Sequence, residues 1–484
     1  MSTLLNEHSV KKLRKTSAML NPLHNQFDGK TLWQADHDHF VHPWTHFDSF
    51  RKDGSLVIAR GEGVHVTDID GRRFLDGISG MWCVNVGYGR KELARAMAEQ
   101  AEQLAYSNTF VDVTNPPAAM LAAKLASLSP GSLNRVMFAL SGSAANEGAV
   151  RLAHYYHGRK GNLARRHIIS RHNSYHGSTF LTASIGKREG DTRPEFQYLT
   201  DTVHHLAAPY PYRRPEGMDL AAFTDFLVAE FVAKIEEVGA ENIACFIAEP
   251  IQGSGGVVVP PPGYLKRMQA VCKAHDILFI ADEVVSAFGR IGHWFASEPE
   301  FGIVPDIITC AKGITSGYFP MGATLYSEEI HEVISAPDPN GWFTHGFTCS
   351  GHPVGCAVAL ENIAIIEREG LLANAARVGD HFEARLRALS DLPLVGDVRG
   401  RRLMMCLEYV ADKATRAKFA DTIDISRRIS KACQVKGLLV RPLGHLDILS
   451  PPLTLTMDQA DFIADTLKAA IADVADQLTR ESLI

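Results

Sequence analysis

The chain of 484 residues is long for one core, which suggests two domains or one large domain with an appendage. Its 46% hydrophobic and 21% charged residues are those of an ordinary soluble globular protein, and 49 Lys plus Arg against 55 Asp plus Glu leave it mildly acidic. With no long basic stripe and no run of about 18 apolar residues, neither a nucleic-acid partner nor a membrane-spanning helix is expected.

The N-terminal stretch "MSTLLNEHSVKKLRKTSAML" lacks the apolar segment of a secretory signal. The eight cysteines are scattered without a CxxC pair, so reduced thiols and a cytoplasmic location are expected. The first ~30 residues should be loosely held or lie on a partner. Next, "ADHDHFVHPWTH" brings His37, His39, His42 and His46 together with Asp36 and Asp38. Those spacings could serve a metal, which keeps a metal-dependent hydrolase as one alternative. The competing expectation is a solvated cluster, with His42-Pro43-Trp44 lining the entrance of a pocket. "GVHVTDIDGRRFLDGISG" then alternates apolar and polar residues about Asp70-Gly71 and predicts a hairpin.

From about residue 135 the rhythm changes to short apolar runs separated by helical patterns: "NRVMFAL", "RHIIS", "ENIACFIAEP", "HDILFIADEV", "PDIITCAKG" and "GATLYSEE". Strands buried on both faces read this way and predict an α/β domain, its central sheet largely parallel and flanked by helices. After about residue 352 long helices and a few strands follow. The last helix is opened by a Thr456/Gln459 capping box, with Phe462, Ile463, Leu467, Ile471 and Val474 expected on one buried face. The predicted organisation is a large domain over 86–351 and a smaller α+β domain built from 1–85 and 352–484.

In such a sheet ligands sit beyond the carboxyl ends of the strands, and chemistry-bearing residues stand there. "ILFIADEVVSAFGR" runs a buried strand into Asp282 and Glu283, carboxylates that a core rejects unless something cationic meets them. No GxxxxGK[ST] accompanies them, which argues against a nucleotide-hydrolysing P-loop. Lys312 follows "IITCA"; a lysine entering a dry crevice becomes a nucleophilic amine able to condense with an aldehyde. Ser141, Gly142 and Ser143 join a strand to an amphipathic helix, a junction suited to a phosphate. Each has an ordinary alternative: a helix cap, a lysine reaching water, a serine-capped turn. Together they are the anchor, the amine and the ring-nitrogen partner that a pyridoxal phosphate site needs.

The stretches "SGSAANEGAVRLA", "YHGST", "AEPIQGSGG", "ADEVVSAFGR", "PDIITCAKGITSGYFPMGA" and "HGFTCSGHPVGCA" occur in this order. In these the chain resembles the class III, fold type I aminotransferases, and most closely their ω-amino acid and amine:pyruvate branch. The resemblance implies that Lys312 holds the cofactor and shuttles the proton, and that Asp282 partners the pyridine nitrogen. It implies Tyr175 and Val284 on the two faces of the ring, with His176 and Glu249 close by. Ser141, Gly142 and Ser143 would hold the phosphate, joined by Thr348 from a second subunit, so that a homodimer shares its sites and a tetramer stays open. Trp82, Phe110, Tyr175 and Phe347 would shape the substrate pocket, and Arg441 would bind the acceptor's carboxylate. The implied reaction is a ping-pong transfer from an amine or ω-amino acid to pyruvate or a similar oxo acid. Isomerases and decarboxylases of the same fold share the lysine and aspartate and stand as the alternative. Two positions depart from the family pattern: Ala144 stands where an acid is usual, and Cys349 where a tyrosine is.

Overall fold

The computed structural model describes residues 29–484, and the expectation for the N-terminal stretch lies outside the described residues. β1 (Ile58–Glu62), β2 (His65–Asp68) and β3 (Arg73–Asp76) form an antiparallel meander. The predicted turn joins β2 to β3. Gly71 takes φ 84°, a left-handed value that a Cβ resists. The Asp68 carboxylate accepts from the N–H groups of Asp70 and Arg72 at 3.1 and 2.8 Å, which closes the turn.

β4 (Arg135–Ala139), β5 (His167–Arg171), β6 (Val203–Leu206), β7 (Ile243–Ala248), β8 (Leu278–Asp282), β9 (Ile307–Cys310) and β10 (Gly322–Tyr326) form the central sheet. Their order is β4-β10-β9-β8-β7-β5-β6. β6, β5, β7, β8 and β9 run parallel, while β10 is antiparallel to both β4 and β9. β6 escapes the sequence reading because it lies at the sheet edge, where His204 and His205 are only half-buried and no apolar run is required.

Alternation along the inner strands shows why their sequences are apolar throughout. Cys245, Ile247, Leu278, Ile280 and Ile307 pack with Ala149, Val150 and Leu152 of the helix Gly142–Arg159. Their neighbours Phe246, Phe279 and Ile308 belong to the core that takes in Phe231 and Met268 of the helices Leu220–Val238 and Tyr264–Ala274. Each strand therefore buries both rows of side chains, at about 1.5–3 kcal/mol per large residue.

Toward the C-terminus, β11 (Val395–Arg401), β12 (Met404–Tyr409), β14 (Arg441–Leu443) and β15 (Leu446–Leu449) pair antiparallel in the order β11-β12-β15-β14. β13 (Leu438–Leu439) instead pairs in parallel with β3, through Leu438 opposite Leu75. The buried Arg290 guanidinium ties the same regions together. It donates to Asn85 Oδ1 at 2.6 Å and to the carbonyl of Pro451. The closing helix, Met457–Arg480, carries the predicted capping box and buries Ile463, Leu467, Ile471 and Val474. Phe462 departs from the expected face and is 40% exposed. It is the neighbour of Ile463, and one position is a turn of about 100° round the helix axis.

Candidate active site

β4, β5, β7, β8 and β9 point their carboxyl ends to one edge of the sheet, where a cavity of about 550 Å³ opens. Asp282 ends β8 and is 4% exposed. Its Oδ2 accepts from Asn146 Nδ2 at 2.7 Å and stands 2.8 Å from His176 Nδ1, and its Oδ1 accepts from the N–H of Val284 at 3.0 Å. Glu283 is also buried but turns the other way, as neighbours on extended backbone do. It accepts from the N–H groups of Ala296 and Ser297 at 2.6 and 2.9 Å and serves the fold.

Lys312 lies just past β9, on backbone at φ 41°, a conformation that costs a side-chain-bearing residue about 1–3 kcal/mol. Half-buried and open to the cavity, its Nζ stands 5.9 Å from the centre of the Trp82 ring and makes no ion pair among the described residues. Removal from water lowers the pKa of the ammonium, and the carboxylates of Asp282 and Glu249 oppose that shift without cancelling it. A lysine so placed is free to react as an amine.

β4 leads into the third component. Ser141 caps the helix Gly142–Arg159, its Oγ accepting from the N–H of Ala144 at 3.2 Å, so the helix start faces the cavity. A Cβ on Gly142 would come within 2.8 Å of Val284, so only glycine allows this approach. Ser143 Oγ accepts from the N–H of Ser178 at 3.1 Å and thereby joins the helix start to the loop after β5. That loop carries Tyr175 and His176. Glu249, at the end of β7, accepts from the N–H of Tyr175 at 3.1 Å and of Gly253 at 2.7 Å, and its burial pushes its pKa up. It holds the Tyr175 backbone in place.

Trp82 is buried at φ 61° and lines the cavity. A Cβ on Gly253 would meet its ring at 2.2 Å. The Arg441 guanidinium lies 5.8 Å from the centre of the same ring. Phe110 and Phe347, expected in the substrate pocket, and Thr348, expected at the phosphate of a second subunit, do not line the cavity of their own chain. Phe110 is 49% exposed, Phe347 packs on Ala139, Ala144 and Ala145, and Thr348 is exposed, its carbonyl accepting from Tyr106 Oη at 2.8 Å. The histidine run forms no metal site: His42 pairs with Asp36 at 2.8 Å and His37 with Asp38 at 2.9 Å, and no group of three potential ligands able to hold a metal occurs among the described residues. Pro43 and Trp44 do line the cavity.

The structure adds Asn146 to these residues. Besides Asp282 it donates to the His176 carbonyl at 2.8 Å, and its oxygen accepts from Thr309 Oγ1 at 2.6 Å. Its signal was a polar residue on the buried side of a helix, which only its partners could explain. The cleft thus offers an uncommitted amine, a buried carboxylate and a helix start whose Ser141, Gly142 and Ser143 line it. This set fits pyridoxal phosphate, which needs all three.

Comparison with known proteins agrees. The family model for class-III aminotransferases matches residues 49–471. The chain is 40% identical over 431 residues to a putrescine–pyruvate aminotransferase of Pseudomonas aeruginosa, covering 89% of this chain and 93% of that one. A thermostable (S)-enantioselective omega-transaminase from Thermomicrobium roseum superposes with a TM-score of 0.90 at 42% identity, over 93% of this chain and 99% of that one. The PMP-bound form of an aminotransferase from Vibrio fluvialis does so with a TM-score of 0.87 at 35% identity, over 91% and 97%. With the family matched over most of its length and the strand-end residues gathered in one cleft, the chain belongs to the class III, pyridoxal phosphate-dependent aminotransferases.

Proposed function

We propose that the protein moves an amino group from an amine or ω-amino acid to pyruvate or a similar oxo acid, in two half-reactions at one site. The observation that carries this reading is the uncommitted Lys312 amine, facing the same cavity as the buried carboxylate of Asp282. Bound there, pyridoxal phosphate supplies an aldehyde that condenses with amines and a protonated ring that draws electrons from the carbon losing its proton. Ser141, Gly142 and Ser143 would hold its phosphate, and Tyr175 and Val284 would flank the ring. Asp282, oriented by Asn146 and His176, would keep the ring nitrogen protonated. Lys312 Nζ would take the proton from the amine-bearing carbon and return it in the second half-reaction. Arg441 would pair its planar fork with the carboxylate of the acceptor.

Transamination is preferred to isomerisation or decarboxylation because the relatives described above are aminotransferases, one of them named for pyruvate. The positions of Phe110, Phe347 and Thr348 outside their own cavity support a homodimer with shared sites, which could pair further into a tetramer. No helix among the described residues is long and apolar enough to cross a membrane, in keeping with the cytoplasmic location we propose. Residues 86–351 would be the cofactor domain, with 1–85 and 352–484 as the smaller one. The pairing of β3 with β13 supports that division.

The test is the visible spectrum of the purified protein. A yellow protein that bleaches with a primary amine, recovers with pyruvate and is trapped by borohydride on Lys312 is the expected result. A protein that takes up no added pyridoxal phosphate would overturn the reading. Gly142→Ala is expected to weaken cofactor binding by roughly tenfold, because the added methyl must push Val284 or the helix start aside. Titrating the variant with pyridoxal phosphate checks this, and unchanged affinity would remove Gly142 from the phosphate cradle.

A further inference from the structure

The cavity holds a second guanidinium that the reaction above does not use. Arg188 follows the helix Phe180–Ile185, on a turn pinned beside Tyr175: Lys187 N–H donates to the Ser174 carbonyl at 3.0 Å, and Asn173 N–H to the Lys187 carbonyl at 2.8 Å. Its side chain is 8% exposed, with the guanidinium 5.0 Å from the centre of the Trp44 ring and 5.6 Å from that of Tyr175. Its Nη2 is ion-paired with Asp191 Oδ1 at 2.7 Å, and Nε is buried without a partner. Arg441 lines the same cavity and makes no ion pair among the described residues. The carboxylates that line the cavity, Asp282 and Glu249, stand at the strand ends and are already engaged by Asn146, His176 and backbone N–H groups.

Asp191 offsets one of the two guanidinium charges and the aromatic faces neutralise neither, so Arg188, Arg441 and Asp191 together leave the outer part of the cleft with a net positive charge. In a partly desolvated cleft this attracts a carboxylate and repels an ammonium far more than it would in water. From this geometry we infer that Arg188 is a specificity-determining residue, which selects donors whose far end is a carboxylate over donors whose far end is an ammonium. This rests on the aminotransferase reading of the site and narrows its donor class to ω-amino acids. A diamine, the kind of compound in the name of the Pseudomonas aeruginosa relative, is disfavoured here.

Three donors of equal length separate charge from shape: 4-aminobutanoate, butan-1-amine and 1,4-diaminobutane. Conversion of the cofactor-loaded enzyme by each is followed spectroscopically, with L-alanine as a donor that enters from the acceptor side. The wild-type protein is expected to rank them in the order written. Arg188→Gln is expected to narrow the ratio of kcat/KM between the amino acid and the diamine by roughly tenfold or more. Arg188→Glu should invert the order, and Arg188→Lys should retain it. A wild-type protein that prefers the diamine overturns the inference without need of any variant. So does a ratio that Arg188→Gln and Arg188→Glu leave unmoved, or an equal fall for all three donors, which would mark Arg188 as structural. If neither L-alanine nor any of the three converts the wild-type cofactor, the reading of the site itself falls, and this inference with it.

Discussion

Lys312→Ala is expected to lower turnover by roughly 10⁴-fold or more, because in the proposed reaction one side chain would both hold the cofactor and move the proton. The variant should fold normally. Lys312 is half-buried and makes no ion pair, so its removal strands no buried partner, and the change in stability should stay within about 1 kcal/mol. A single-turnover measurement on the variant with added cofactor, repeated in excess methylamine, tests the assignment. Partial recovery with the small amine identifies proton transfer as the missing step. Turnover within tenfold of wild type would show that Lys312 is not the base and would reopen the choice of reaction.

Two substitutions at Asp282 separate its charge from its place in the fold. Asp282→Ala leaves Asn146 Nδ2 and His176 Nδ1 facing a lost acceptor, which costs about 1–3 kcal/mol for each stranded group. Its loss of activity therefore mixes chemistry with packing. Asp282→Asn keeps an oxygen for one of these contacts but removes the charge that would hold a proton on the ring nitrogen. It is expected to melt near the wild-type temperature, to bind pyridoxal phosphate with a smaller loss, and to slow the donor half-reaction by roughly 10²–10³-fold. Near-normal rates in Asp282→Asn would exclude an electrostatic role and return the residue to its function as a strand-end anchor.

Lys312 and Asp282 were legible because each ends an apolar strand, and a polar group there has no local reason to exist. Glu283 looked equivalent in the sequence and proves to brace the 296–297 backbone, since the pleat sends it away from the cleft. Asn146 and Arg188 were not legible. One sits within a helix and the other on a loop, and the partners that give them meaning come from distant segments.

The same division runs through the molecule. Local chemistry determined the Asp70-Gly71 turn, the Thr456/Gln459 cap, the buried strands and the serine-capped helix start, because backbone preferences and periodicity act over a few residues. Tertiary structure alone decided that β10 runs antiparallel, that β13 joins β3, and that Phe462 lies off the buried face. It also decided that Trp44, Arg188 and Arg441 share one cleft while Phe110, Phe347 and Thr348 stay outside it. Those outcomes depend on strand order, register and helix rotation, set by packing between residues hundreds of positions apart, which no short window of sequence contains.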